Sequence, residues 1–292
     1  MLELPTNDPT DRIKLADWLE VSAILSPDND SSRGDLESAL RTASFDGITD
    51  SDEVERKVLD VFSELEQRES AAACAYPFSV HSGVLKLKSE WENYPAYIFC
   101  LFLSYFGIKE TRDTPKLFEG ISCQAAKNYI KGDAVGFGSP RKSLSAAFPD
   151  AVTQLSILIG EGGRYRDQPS LSRKDDTLDV VAWVDFIDKS PCKIIMFGQC
   201  AAGENWGDKL AELQPSVFWD QWMADPLVSP TPIRSFFIPH RVETDNEKWI
   251  LICRKAGIVF ERCRIAYWAH EGGLNFSQHI EWIQQVIKQQ MN

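Results

Sequence analysis

The chain has 292 residues, 43% of them hydrophobic and 25% charged, with a formal net charge of −12. That balance suffices for a full apolar core and excludes a disordered or fibrous protein. The most apolar run, Tyr97-Ile98-Phe99-Cys100-Leu101-Phe102-Leu103, is far too short to cross a bilayer, so no membrane role is expected.

In chain order, residues 11–25 read as an amphipathic helix on Ile13, Leu15, Trp18, Leu19, Ile24 and Leu25, with a polar loop over 26–34. A short helix is expected over 35–43. A longer one is expected over 51–68, where Val54, Val58, Val61, Phe62 and Leu65 recur at helical spacing and Asp50 or Ser51 can cap. A short strand is placed at 84–87, a buried helix at 95–106, and a further helix at 115–131 that carries Glu119. Residues 132–142 read as a glycine-bearing loop, 151–160 as an apolar helix ending before Gly162-Gly163, and 178–186 with 193–200 as two strands. Then follow a capped helix at 206–213, an aromatic helix at 216–224, a proline-rich loop, a core strand at 233–238, a strand or helix start at 248–254, and a closing helix at 276–290. No repeat or low-complexity tract interrupts this order. The expected fold class is α/β (α+β), a mixed β-sheet flanked by helices. Residues 1–110 form an acidic, mainly helical N-terminal region and 111–292 the sheet-bearing core.

The charge is unevenly spread. Residues 1–75 hold 18 acidic and 7 basic side chains, whereas residues 76–292 hold 25 and 24. Repulsion of nucleic acid is therefore confined to the N-terminal quarter, which is better suited to docking a protein partner or masking a site. The remainder carries basic pairs able to meet phosphates: Lys127/Lys131, Arg141/Lys142, Arg164/Arg166, Arg173/Lys174, Arg254/Lys255 and Arg262/Arg264. The seven cysteines include no Cys-x-x-Cys pair and the four histidines have no zinc spacing, so reduced thiols are expected. With no signal peptide at its start, the chain is expected to be cytoplasmic.

The stretch richest in chemical meaning is 175–210. With a turn at Asp188-Lys189-Ser190-Pro191, Phe186 opposes Lys193, and Asp179 opposes Cys200, one residue from Gln199. Cross-strand neighbours have Cβ atoms about 4.5–5.5 Å apart, so two polar residues distant in sequence meet at one sheet end. Gly203 relaxes the chain, Asn205 is a plausible N-cap with Asp208 as its capping-box partner, and Lys209 in the first turn leans back toward the strand tail.

Asp-Val-Val-Ala-Trp followed by Gly-Gln-Cys-Ala-Ala-Gly-Glu-Asn-Trp resembles the core of the PD-(D/E)xK, restriction-endonuclease-like, nuclease superfamily over residues 115–240. The resemblance implies an Asp on the second core strand and a Glu or Gln on the third, matched by Asp179 and Gln199. The lysine usually found two residues later is replaced by Ala201, so Lys209 stands as a displaced candidate. An acid from the preceding helix is implied too: Glu119, with Glu161 second. Asp179, the Gln199 amide oxygen and the Cys200 carbonyl would hold Mg²⁺ (or Mn²⁺). The implied activity is metal-dependent phosphodiester cleavage of DNA, in a subunit of a multi-protein bacterial phage-defence system.

Two other readings compete. Cys200 on a strand-to-helix turn could be the nucleophile of a hydrolase with His240 or His270 as base, although Ala202 stands where such turns have glycine. Alternatively the missing lysine and the Gln-for-Glu exchange mark a degenerate scaffold or nucleic-acid clamp.

Overall fold

The computed structural model describes residues 2–4, 11–42, 51–107, 113–167, 176–227, 230–244 and 247–291. Expectations placed on Ala43, Asp50, Arg173, Lys174 and Asp175 fall outside these residues. α1 (Arg12–Leu25) starts on Asp11, whose carboxylate accepts from the Ile13 N–H at 2.8 Å. It is buried nearly all round, Asp17 and Glu20 included, and so is an interior helix rather than an amphipathic one. After β1 (Asp30–Ser32) and α2 (Arg33–Thr42), α3 (Ser51–Ala72) lays Val54, Val58, Val61 and Leu65 into the core beside α1. β2 (Phe78–His81) and β3 (Val84–Leu87) pair as a hairpin, and β1 completes a small antiparallel sheet of order β1-β3-β2. α4 (Pro95–Phe106) begins on a proline whose missing N–H costs nothing at a first turn, and is buried from Pro95 to Leu103.

α5 (Thr114–Ile130) leads into β4 (Asp133–Gly136), α6 (Phe148–Ile159), β5 (Val180–Val184) and β6 (Ile194–Cys200). A 3-10 turn at Glu204–Lys209 is followed by α7 (Pro215–Trp222), β7 (Ile233–Phe237), α8 (Glu247–Ala256), β8 (Ile258–Phe260), α9 (Arg262–His270) and α10 (Ser277–Met291). β4 to β8 form one mixed sheet in sequence order. β4, β5 and β6 are antiparallel, while β7 and β8 run parallel to β6. The molecule is therefore of the α+β class. Side-chain alternation splits the sheet's faces. Val180, Ala182 and Met196 join the large cluster shared with α4, α5, α9 and α10, whereas Val181, Trp183, Ile195 and Phe197 pack beneath α6 and α7. The large cluster includes residues from Leu15 to Val286, so helices on both sides of position 110 contribute to one core.

Several expectations change. β5 and β6 pair one residue out of the expected register: Val180 meets Gly198 and Val184 meets Ile194, which sets Asp179 against Gln199 instead of Cys200. The strands are shorter because Lys189 and Lys193 both close on Asp185, leaving Phe186 and Ile187 outside the ladder. The loop expected at 132–142 contains β4, whose pairing with β5 overrides the weak strand propensity of Asp-Ala-Val-Gly. The helix expected at 206–213 is replaced by the 3-10 turn. Its N-cap is Gly203, and Asn205 departs from helical geometry at φ −84°, ψ 20°. Residues 248–254 are helical, within α8.

A buried ionic cluster ties the N-terminal helices to the end of the sheet. Asp17 Oδ1 accepts from Arg68 and Arg262 at 2.7 Å each, and its Oδ2 accepts from Arg262 at 2.9 Å. Glu20 accepts from Arg68 and from the Tyr76 and Tyr97 hydroxyls, all at 2.8 Å. Glu64 takes Arg68 at 2.8 Å and Arg241 at 2.9 Å, and Arg241 reaches Glu261 at 3.3 Å. Glu261 also caps α9, accepting from the backbone N–H groups of Cys263 and Arg264. Arg262, grouped with Arg264 as a phosphate contact on sequence grounds, is wholly buried here and unavailable to a ligand.

Burial alone would raise the Asp17 carboxyl, but Arg262 and Arg68 outweigh it and hold the pKa at about 2. Its ionised form favours folding above the ordinary value of 3.8, a contribution lost as pH falls toward about 2. Deep burial raises Glu20 despite Arg68 and Arg262, so its ionisation works against folding above its ordinary value. Burial pushes His279 down from 6.5 to about 4, the nearby Leu117 carbonyl countering only part of that. The unfolded chain therefore takes up a proton in that window that the folded chain refuses, and stability falls as the solution is acidified through it. Arg262→Met, which removes two of the three guanidinium bonds to buried Asp17, should lower the unfolding free energy in urea at neutral pH by about 3–5 kcal/mol. A loss below about 1 kcal/mol would show that the cluster does not hold these helices. His279→Gln should remove about 2–3 kcal/mol of the decline seen on acidification across that window. Thermal melts at each pH test this, and an unchanged slope would assign the decline to another group.

Candidate active site

The first turns of α5 bury Leu117, Phe118, Ile121 and Ser122, which leaves Lys116 and Glu119 on the flank toward the sheet end. They pair at i, i+3, with Lys116 Nζ 2.5 Å from Glu119 Oε2. Asp179 immediately precedes β5 and is held from both sides. Its carbonyl accepts from the Phe137 and Gly138 N–H groups at 2.7 and 3.2 Å, and its N–H donates to the Gly198 carbonyl at 2.9 Å. Its Oδ2 accepts from the Cys200 backbone N–H at 2.8 Å. A charge-assisted bond of this kind orients a carboxylate firmly.

Gly138 shows how close the two acids come. A Cβ built there would stand 2.6 Å from Glu119 Oε2 and 2.7 Å from Asp179 Oδ1. Two carboxylate oxygens from separate elements thus close on one small space, kept open because position 138 has no side chain. The backbone there is not in the left-handed region, so it is this space rather than an unusual φ that requires glycine.

The Cys200 thiol lies in the same surroundings. Burial pushes its pKa well above the usual thiol value, and the negative charges of Asp179 and Glu119 push it further. It is a neutral thiol, poorly suited to nucleophilic attack. The bases imagined for it are engaged elsewhere: His240 Nδ1 meets Ser104 Oγ at 2.8 Å with its ring over Trp206, and His270 stacks on Tyr94. The contact that Cys200 makes with Asp179 is through its N–H, not through the carbonyl expected as a metal ligand.

Two other expected residues, Gln199 and Glu161, lie apart from this space. Gln199 donates its amide to Glu212 Oε2 at 2.7 Å, and its own Oε1 is buried without a hydrogen-bond partner. Strand alternation explains this: Met196 and Cys200 of β6 face α5, so Gln199 faces the other way. Lys209 sits half-exposed on the 3-10 turn, and the lysine that meets a site carboxylate is Lys116. Glu161 accepts from the Lys193 N–H at 3.3 Å, at the opposite end of β6. Lys116 escaped sequence reading because a lysine three residues before a glutamate is commonplace on helices.

The turn before Asp179 is strained. Asp176 and Thr177 both have positive φ, 51° and 65°. Asp176 Oδ2 is gripped by the indole N–H of fully buried Trp222 at 2.7 Å. Trp222 thereby anchors the segment that aims Asp179.

Among the described residues no group of three or more His, Cys, Asp or Glu side chains is placed to hold a metal ion. Comparison with known proteins gives no match: no family model, no curated protein and no solved structure matches the chain.

Trp222→Phe keeps the aromatic packing but removes the donor to Asp176. It should cost about 1–3 kcal/mol of stability and release the 176–178 backbone to faster amide exchange. Unchanged exchange at Leu178 and Asp179 would show that the turn holds itself.

Proposed function

We propose that the chain is a divalent-cation-dependent phosphodiesterase acting on DNA, working as the nuclease subunit of a multi-protein bacterial defence system. Glu119, Asp179 and Lys116 are its reacting constellation. The observation that carries this reading is the meeting of the Glu119 and Asp179 carboxylates over Gly138, with the Lys116 ammonium beside them. The element order supports it too: Asp179 lies at the second strand of the β4-β5-β6 meander, and Glu119 on the helix before its first strand. These are the positions that the resemblance to PD-(D/E)xK nucleases implies for the two acids.

The residues fit a hard cation. Glu119 and Asp179 would hold Mg²⁺ with most of its waters retained, and the ion when bound would acidify a water and offset charge on the phosphoryl oxygens. Asp179 keeps its aim through the Cys200 N–H and the Phe137 and Gly138 amides. Lys116 places a cation where a phosphate oxygen would lie, steadying negative charge as the ester bond opens. Gly138 keeps the space clear. Exposed Lys142 and half-buried Arg141, on the loop that follows, offer cationic contacts for the neighbouring backbone phosphates.

Cleavage of supercoiled plasmid and of a single-stranded oligonucleotide, in Mg²⁺ or Mn²⁺ and with a chelator, tests the reading. Asp179→Asn and Glu119→Gln should each reduce cleavage at least about 100-fold. Gly138→Ala should do the same while leaving the melting temperature near that of the wild type. Lys209→Ala should cut like the wild type. Equal cleavage by wild type and Asp179→Asn would remove the proposal.

The turned-away Gln199 and the absence of a third acidic ligand among the described residues favour a second reading, a nucleic-acid clamp that does not cut. It predicts salt-dependent DNA binding that persists in Asp179→Asn, with no cleavage by either protein.

A further inference from the structure

We propose that the groove between α3 and the β2–β3 hairpin docks a basic segment of a partner protein, one that inserts an apolar side chain flanked by Lys or Arg. This surface shares no element with the candidate active site, and the inference stands without the phosphodiesterase reading. The groove holds about 380 Å³ and is floored by Val58, Leu59 and Phe62 of α3 with Val80 of the hairpin. Leu59 is 54% exposed, although it belongs to a helix whose other aliphatic side chains are buried. Leu59 beside half-buried Phe62 gives the concave surface an apolar floor that an inserted apolar side chain would bury. That volume lies near the lower end for ligand pockets and suits one or two side chains.

The rim states the sign of the occupant. Glu66, one turn after Phe62, lines the groove, and Glu55, one turn before Leu59, is paired with the Arg33 that closes its other end. The solvent-facing charges of α3 are Asp52, Glu53, Glu55, Asp60, Glu66 and Glu69 against Arg56 and Lys57, with Glu53 paired to Lys57 and Glu69 to Lys88 beside the hairpin, so the face keeps a net negative balance. Arg33 reaches the groove, but Glu37 at 2.8 Å and Glu55 at 3.1 Å already engage it. Nucleic acid and an anionic lipid surface are repelled by such a face. A second copy of the chain would set these acids against their own kind. A cationic peptide segment satisfies both floor and rim, and steering by the acidic N-terminal quarter would speed its arrival.

The test is selection of a random dodecapeptide phage library on the full-length chain, with counter-selection on a Leu59→Ser/Glu66→Lys double variant. Both positions are solvent-facing, and matching thermal melts would establish that the variant is folded. The expected result is enrichment of peptides with an aliphatic or aromatic residue among Lys or Arg. Synthetic copies should lose at least about tenfold in affinity on Leu59→Ser, and a similar factor between low and high salt. Enrichment of acidic or uncharged peptides, equal binding to the double variant, or no enrichment would overturn the proposal.

Discussion

The clamp of Arg68 and Arg262 on Asp17 and Glu20 is the constraint on which the other contacts rest. Charges this deeply buried are tolerable only when paired and hydrogen-bonded, so α1, α3, α9 and the segment after β7 have essentially one mutual arrangement. Tyr76 and Tyr97 saturate the remaining oxygen of Glu20. Arg262 opens α9, α9 packs against α5, and α5 lies on β5. Through that chain of packing the ionic cluster sets the height of Glu119 over the sheet. The acidic N-terminal region is in this sense part of the scaffold for the site, because it supplies the carboxylates that hold α9.

At the far end of that scaffold the geometry follows from which face of the sheet each residue takes. α5 covers the face of Val180, Ala182, Met196 and Cys200, so an acid on α5 can meet only what reaches that side. Asp179 reaches it from just outside β5, where its N–H bonds to Gly198, the residue paired with Val180. Gln199, one residue from Cys200, is carried to Glu212 on the opposite side. The result is a pair of carboxylates, one from α5 and one from the residue before β5, with a lysine from α5 and a neutral thiol in the same surroundings. That arrangement is poorer in ligands than the strand motif suggests.

The uneven charge has two structural outlets. Asp17, Glu20 and Glu64 are consumed inside the fold, whereas the acids along the outer face of α3 remain in solvent. The first group contributes packing order. The second contributes a field, and fields act on partners rather than on folds.

Local pattern was legible where local physics decides. The apolar spacing of α3, the proline-led starts of α4 and α5, the uninterrupted hydrophobic run of α4 and the β-branched strands β5 and β6 all follow from energies shared among near neighbours. Asp179 could be singled out by its place at a strand start, and Glu119 only as what the nuclease resemblance implies. β1, β2, β4 and β8 could not, since their short sequences lack the aliphatic alternation of Val84–Leu87 and form strands only by virtue of the strands beside them. Nor could α9, whose buried Arg262 has its partner Asp17 245 residues away. Sequence alone determined the class of fold and the order of the main elements, because those depend on periodicity and side-chain chemistry. Tertiary structure alone decided the register of β5 on β6, the turning of Gln199 to Glu212 and the meeting of Glu119 with Asp179 over Gly138. Each of these depends on which face meets which, and one residue of slip or one helix of displacement reverses that without altering any local preference.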